Sequence, residues 1–154
     1  MSASDYAAWY GALVATAVFI WDCIKWSKSG PQLKGEAHAG WRSFGFPGHN
    51  DQDLLFVKIT NFGDRPTTLT SWGLYWYPAG ASLSDKSKRK SFIMGSGLHG
   101  TGVIPSKLGP GDVWSGVSIE DRQVKEMLQT GTIYMAIGLS HTDDELLLTV
   151  TNPS

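Results

Sequence analysis

The chain has 154 residues, with 13 basic and 14 acidic side chains and a net charge of −1. That balance supplies no overall field for nucleic acid, and the length suits one domain with a real core once a terminal anchor of about 30 residues is set aside. Eighteen glycines and seven prolines spread along the chain are the punctuation of many turns, hence of many short strands.

In chain order the first element is Tyr6–Trp21, which carries no charge and is followed by Asp22, Cys23, Ile24 and the flank Lys25-Trp26-Ser27-Lys28. At a rise of about 1.5 Å per residue, Tyr6–Trp21 covers about 24 Å and an extension to Trp26 about 31 Å, enough for a bilayer core with Asp22 and Lys25 at its interface. Trp9 and Tyr10 mark one boundary, and Trp21 and Trp26 the other, in the manner of an aromatic belt. A cleaved signal peptide fits less well: Met1–Asp5 lacks Lys and Arg, and no small-residue cleavage site follows. The buried helix of a soluble protein is the remaining rival. The reading is a single-pass span within 1–26, a polar linker over 27–34 and a β domain over 35–154. Lys25, Lys28 and Lys34 follow the span and no cation precedes it. The expected topology is therefore N-terminus outside and β domain in the cytoplasm, at a cell inner membrane.

The helix has a face of small residues. Ala8, Gly11, Ala12, Ala15 and Asp22 recur at helical spacing, and Gly11-x-x-x-Ala15 and Ala8-x-x-x-Ala12 let two helices approach closely. This predicts self-association, with Asp22 either inside the contact or paired with Lys25 at the interface. Cys23 is the one cysteine. It excludes an internal disulfide and sits where palmitoylated and free thiols are both compatible. No glycosylation sequon occurs, since Asn152 is followed by Pro153.

Ser27–Pro31 ends the helix. Leu33, Gly35, Ala37, Ala39 and Trp41 then alternate with polar or small residues, predicting a first strand with those five facing inward. A loop over 44–53 leads to Leu54–Asn61, the strongest strand in the chain. Asn61–Pro66 is a turn in which Asn and Gly are available for positive φ. Thr67–Tyr77 is a long strand rich in β-branched and aromatic residues. A loop over 78–90 precedes a short strand at 91–94, and 95–107 reads as a glycine-rich, mobile segment. Val113–Ile119 is a strand. Glu120–Gln129 is a two-turn helix stopped by Gly131. Thr132–Leu139 and Leu146–Thr151 form a hairpin around His141–Glu145. Seven strands and one short helix predict an antiparallel β-sandwich of immunoglobulin-like topology, without the cysteine pair of true immunoglobulin domains, so that Trp72 or Trp114 fills the centre.

Val57-Lys-Ile-Thr-Asn-Phe-Gly-Asp-Arg-Pro-Thr-Thr-Leu-Thr70, Gly73-Leu74 and the turn Leu108-Gly-Pro-Gly-Asp112 carry a resemblance covering about a third of the chain. The pattern resembles small bacterial single-pass membrane proteins with a C-terminal immunoglobulin-like β-sandwich. The resemblance implies the fold and no activity, and it transfers no catalytic residue.

Chemistry-bearing motifs are sparse. Gly95-Ser-Gly-Leu-His-Gly100 matches G-x-G-x-x-G, but Thr101–Pro105 after it opens no helix to receive a pyrophosphate. His38, His49, His99 and His141 have no zinc-ligand spacing. The acidic loops 49–53 and 141–145 read as polar turns rather than cation sites or glycosidase carboxylates. No catalytic residue, metal ligand or cofactor is therefore assigned. Lys86, Lys88, Arg89 and Lys90 form the one basic cluster, a candidate contact for anionic lipid or an anionic ligand. The expected function is non-enzymatic: a membrane-tethered module that meets membrane lipid and a protein partner or its own copies, with surplus rings among Trp41, Trp72, Tyr75, Trp76 and Tyr77 as the docking patch. The alternative is a ligand-sensing effector whose helices assemble into a membrane-perturbing bundle, which requires a concave basic pocket at 86–90. An uncharacterised hydrolase would need converging His and carboxylate groups.

Overall fold

The structure, a computed structural model, describes residues 2–45, 48–95 and 97–152, apart from the side chains of Ala3 and Lys28. The chain divides into two compact units, Met1–Gly30 and Pro31–Ser154.

The first unit is a helix, α1 (Ala3–Lys28), of 26 residues and about 39 Å. The Asp5 carboxylate accepts the Ser2 N–H at 2.7 Å, placing a negative charge at the positive end of the helix dipole. Within it, Ser4–Ser27 is long and apolar enough to cross a membrane, and none of its most apolar stretch is buried. Large apolar residues lie on all sides, as Trp9, Phe19 and Trp21 show, each about two-thirds exposed. A helix apolar all round suits a hydrocarbon or protein interior and not water. The Ser29 N–H and hydroxyl both reach the Trp26 carbonyl, at 3.2 and 2.9 Å. Gly30 then takes a φ of +152° before Pro31, which halts the helix two residues beyond the expected anchor.

The second unit is mostly β. Its elements are β1 (Leu33–Arg42), β2 (Asp53–Asn61), β3 (Thr67–Pro78), β4 (Lys90–Ile93), β5 (Ser106–Leu108), β6 (Val113–Ile119), α2 (Arg122–Thr130), β7 (Gly131–Leu139) and β8 (Thr142–Thr151). They form one curled, mixed sheet in the order β4-β3-β7-β8-β1-β2-β6, with β5 also on β3. Every pairing is antiparallel except β1 with β8, which joins Ala37 to Val150 and His38 to Thr151. The core fills the curl. Leu55, Val57 and Ile59 of β2 meet Leu69, Trp72 and Leu74 of β3 and Ile133, Met135 and Ile137 of β7. They alternate along β2, along β7 and over Trp72–Leu74; Leu69 is three residues from Trp72 because the register of β3 shifts between Leu69 and Ser71, so one face of each strand is still committed to the interior.

Several expectations are corrected. Among the described residues there are eight strands instead of seven, and the β1–β8 pair makes the sheet mixed instead of antiparallel. The added strand, β5, begins inside the segment read as a mobile glycine-rich loop, and its three residues are too short to show a period. The His141–Glu145 loop shrinks to a turn at Ser140–His141, because Thr142–Glu145 are the exposed first residues of β8. Gly100 of the G-x-G-x-x-G segment ends a 3-10 turn, Leu98–Gly100, and no helix follows; Ser96 of that motif lies outside the described residues, as do Phe46 and Pro47 of the 44–53 loop. Gly131 stops α2 by proximity and not by a left-handed φ: a Cβ there would lie 2.1 Å from the Tyr77 carbonyl oxygen.

The turn after β2 uses no positive φ at Asn61 or Gly63. Asn61 acts through its side chain instead. Fully buried, its Oδ1 accepts the N–H groups of Gln32 and Gly63 at 3.2 and 2.9 Å. Its Nδ2 donates to the carbonyls of Arg65 and Leu108 at 2.8 and 3.2 Å. Its backbone pairs with Asp112 and Gly111. One side chain thus ties the segment before β1, the β2–β3 turn and the β5–β6 turn into a corner with every polar atom satisfied.

Candidate functional site

The feature that most alters the surface is a bulge in β1. His38 pairs with Phe56 and Trp41 with Leu54, so β1 spends three residues where β2 spends two. Gly40 sits in the bulge with a φ of +73°, a conformation that favours glycine. The extra residue reverses the alternation. Ala37 and Ala39 face the core as expected, but Trp41, expected inward with them, lies on the outer face, 50% exposed. There it stacks on Phe56 at 5.1 Å and 21°, with His38 next in line at 6.3 Å and 28°.

The bulge is held from the side. The buried Glu120 accepts the Gly40 N–H through Oε2 at 2.6 Å, and the Glu120 N–H donates to the Asp53 carbonyl at 2.8 Å. Asp53 also takes a hydrogen bond and charge pair from the Lys125 ammonium, with Arg42 Nε at 3.9 Å. The hydrogen bond from Lys125 holds the Asp53 carboxyl below its usual value, against some desolvation, and the charges of Lys125 and Arg42 act in the same direction. The same hydrogen bond raises Lys125. Together with Gly40, Leu128 and Thr132, these four charged residues line a cleft of about 590 Å³ between the end of β1 and α2. The site is thus an aromatic stripe on the outer face and, beside the bulge, a cleft rimmed by two cations and two anions; Trp41 and Phe56 are not among the residues that line the cleft.

His38 Nδ1 hydrogen-bonds with the Thr151 hydroxyl at 2.8 Å, and the Glu36 carboxylate lies 3.6 Å from Nε2. Glu36 and Thr151 are both exposed. Among the described residues no group of three His, Cys, Asp or Glu side chains is placed to hold a metal ion. Two histidines read as scattered do meet: the rings of His49 and His99 are 5.5 Å apart, edge to face. Fifty residues of separation hid that contact from the sequence.

The five residues of the small-residue face lie on α1. The helix is continuous, so Ala8, Gly11, Ala12, Ala15 and Asp22 fall within about 100° of arc, and nothing beyond the adjoining turns of the helix lies within 4 Å of a Cβ built on Gly11. The basic cluster is largely engaged by the protein itself. The Arg89 guanidinium lies 3.9 Å from the Tyr75 ring centre, Lys90 Nζ lies 5.1 Å from that of Trp76, and Lys88 pairs with Asp85 at 3.4 Å. The Tyr75 hydroxyl donates to Glu145 at 2.6 Å; burial first, and then this bond, raise its pKa. The cavity of about 300 Å³ that borders Lys90 also carries Glu126, so one cation there faces one anion. Of the five rings proposed as surplus, Trp72 and Tyr77 are buried, Tyr75 and Trp76 half-buried, and Trp41 exposed. The signal for Trp41 was present in the sequence: a glycine interrupting a strand pattern one residue before it.

No protein-family model matches the chain, and no curated protein matches it. Among solved structures it is similar to a Bordetella pertussis protein provisionally named ApaA, at 13% identity and a TM-score of 0.38, over 79% of this chain and 89% of that one. It is also similar to a structural-genomics target, SoR45, at 11% identity and a TM-score of 0.38, over 77% of this chain and 80% of that one. Neither likeness bears on function.

Proposed function

We propose that the protein is a membrane-tethered, non-enzymatic interaction module that docks a protein partner on the outer face of β1 and β2. The single observation that carries this reading is the Trp41–Phe56 stack, in which the exposed Trp41, set by a bulge whose backbone is clamped by Glu120, lies on the half-buried Phe56. A rigid ring pair is the anatomy of an interface centre, where a few aromatic residues supply most of the affinity, and the charged cleft beside the bulge offers polar groups near it. In this reading α1 is a single-pass span with its N-terminus outside and the β domain in the cytoplasm, supported by Lys25 and Lys34 on the domain side. Copies associate through the Ala8, Gly11, Ala12, Ala15 and Asp22 face. The β domain is an immunoglobulin-like sandwich, a reading supported by the inward residues of β2 meeting those of β3 and β7 in one core.

The test is a photo-crosslinking amino acid at position 41 in native membranes, with position 83, also exposed, as the comparison. Discrete protein adducts from 41 and none from 83 are expected. Equal, diffuse labelling from both positions would remove the docking assignment.

A further inference from the structure

We propose that the turn after β2 is the lipid-facing foot of the β domain, with the Phe62 ring seated in the headgroup layer. This rests on the reading of α1 as a span.

Phe62 is 65% exposed on a turn that the rest of the protein holds rigidly. Its N–H donates to the Gln32 carbonyl at 2.8 Å, and the buried Asn61 side chain holds the Gln32 N–H on the other side. The backbone of the turn is therefore fixed by the segment that enters β1. The ring itself adds nothing to the core. The Lys34 ammonium lies 5.6 Å from the ring centre, and Glu36 and Lys58 line the same small cavity as the ring. An apolar ring beside an ammonium is the pairing that settles at a membrane interface, the ring among the upper acyl carbons and the charge among phosphates.

Chain connectivity selects the bilayer as the occupant. Four residues, 29–32, separate the end of α1 from the start of β1. Fully extended they reach about 14 Å, so a helix that crosses the bilayer delivers this corner to its surface. The cluster Lys86–Lys90 is at the other end of β3. Lys90 pairs with Trp76, whereas the turn leads into Thr67; nine residues of strand separate the two ends by about 30 Å. The foot is close to neutral: Lys34, Lys58 and Arg65 stand against Glu36, Asp64 and Asp112. The ring, more than net charge, therefore carries the contact, and it forms on phosphatidylcholine as well as on anionic bilayers.

The experiment uses the full chain in phosphatidylcholine vesicles, in a Cys23→Ser background. A fluorophore is placed at Arg65→Cys, at Ser87→Cys or at Val14→Cys, with spin-labelled lipids as quenchers. Loss of emission is expected at 14 with a tail-borne quencher and at 65 with a headgroup quencher, and not at 87. Phe62→Ser should restore emission at 65. Quenching at 14 with none at 65, quenching at 87 in place of 65, or quenching at 65 that persists in Phe62→Ser would each overturn the foot while leaving the span standing. Emission untouched at 14 would overturn the span, and the foot with it.

Discussion

Two aromatic pairs of similar chemistry have opposite fates. Trp72 and Trp114 meet edge to face at 5.6 Å and 85°, almost wholly buried, and both indole N–H groups are used, on the Gly95 and Val103 carbonyls at 2.9 and 3.1 Å. Trp41 and Phe56 lie nearly parallel on the outer face, and among the described residues the Trp41 indole N–H has no protein acceptor. The surroundings, not the rings, decide. Gly116 leaves room for the inner pair, since a Cβ there would come within 2.9 Å of Trp72 and 3.0 Å of Trp114. Gly40 turns the outer pair outward by permitting the bulge. One pair is expected to carry stability and the other recognition.

The strongest way to break this contrast is Trp72→Ala. It empties a large site in the core and should cost about 3–5 kcal/mol, seen as a fall in Tm of about 10–20 °C. A smaller loss would mean that the centre collapses onto Trp114, and the inner pair would lose its distinct role. Asn61→Leu comes next. It strands two carbonyls and two N–H groups, and about 3 kcal/mol should be lost in chemical denaturation. Trp41→Ala sharpens the contrast from the other side. Stability should move by less than about 1 kcal/mol, while partner capture falls about 30-fold, equivalent to about 2 kcal/mol. If Trp41→Ala instead unfolds the domain, the outer pair is structural and the docking reading falls.

The smallest expected effect belongs to the rim. The folded pKa of Asp53 is depressed, so its contribution is present above the ordinary carboxylate range and is lost as pH falls through the folded value. The folded pKa of Lys125 is raised, so its contribution is present below the ordinary lysine range and is lost as pH rises through the folded value. The pair therefore acts across the whole neutral range and fades at both extremes. Because both side chains are partly exposed, the contribution is small and salt-sensitive. Asp53→Asn should flatten the acid limb of a stability-against-pH curve slightly; an unchanged limb would show that the clamp is held by Glu120 alone.

Much of the β order was legible, because the signals were local. The Leu54–Asn61 and Thr67–Tyr77 runs and the Val113–Ile119 alternation each stated a strand, and Glu120–Gln129 stated a helix, to which the structure adds the Asp121 cap on the Val124 N–H at 2.9 Å. What was not legible depends on distant partners. β5 exists because Ser106–Leu108 finds Thr67–Leu69. The weight of Asn61 comes from Gln32 and Leu108, 29 and 47 residues away. Trp41 faced the wrong way on paper because strict alternation has no place for an extra residue, although Gly40 was the sign that one was present. The rim was invisible for the same reason: Asp53 and Lys125 are 72 residues apart.

The parallel seam between β1 and β8 carries a consequence for biogenesis. The His38 ring waits for the Thr151 hydroxyl, 113 residues later. During translation the first strand emerges just behind the apolar helix yet has only β2 and its hairpin partners for company until the ribosome has delivered β8. Closing so long a loop is slow. Over that interval the inner faces of β1 and β2 are open to water and to neighbouring nascent chains, an exposure that favours aggregation over folding until the seam closes.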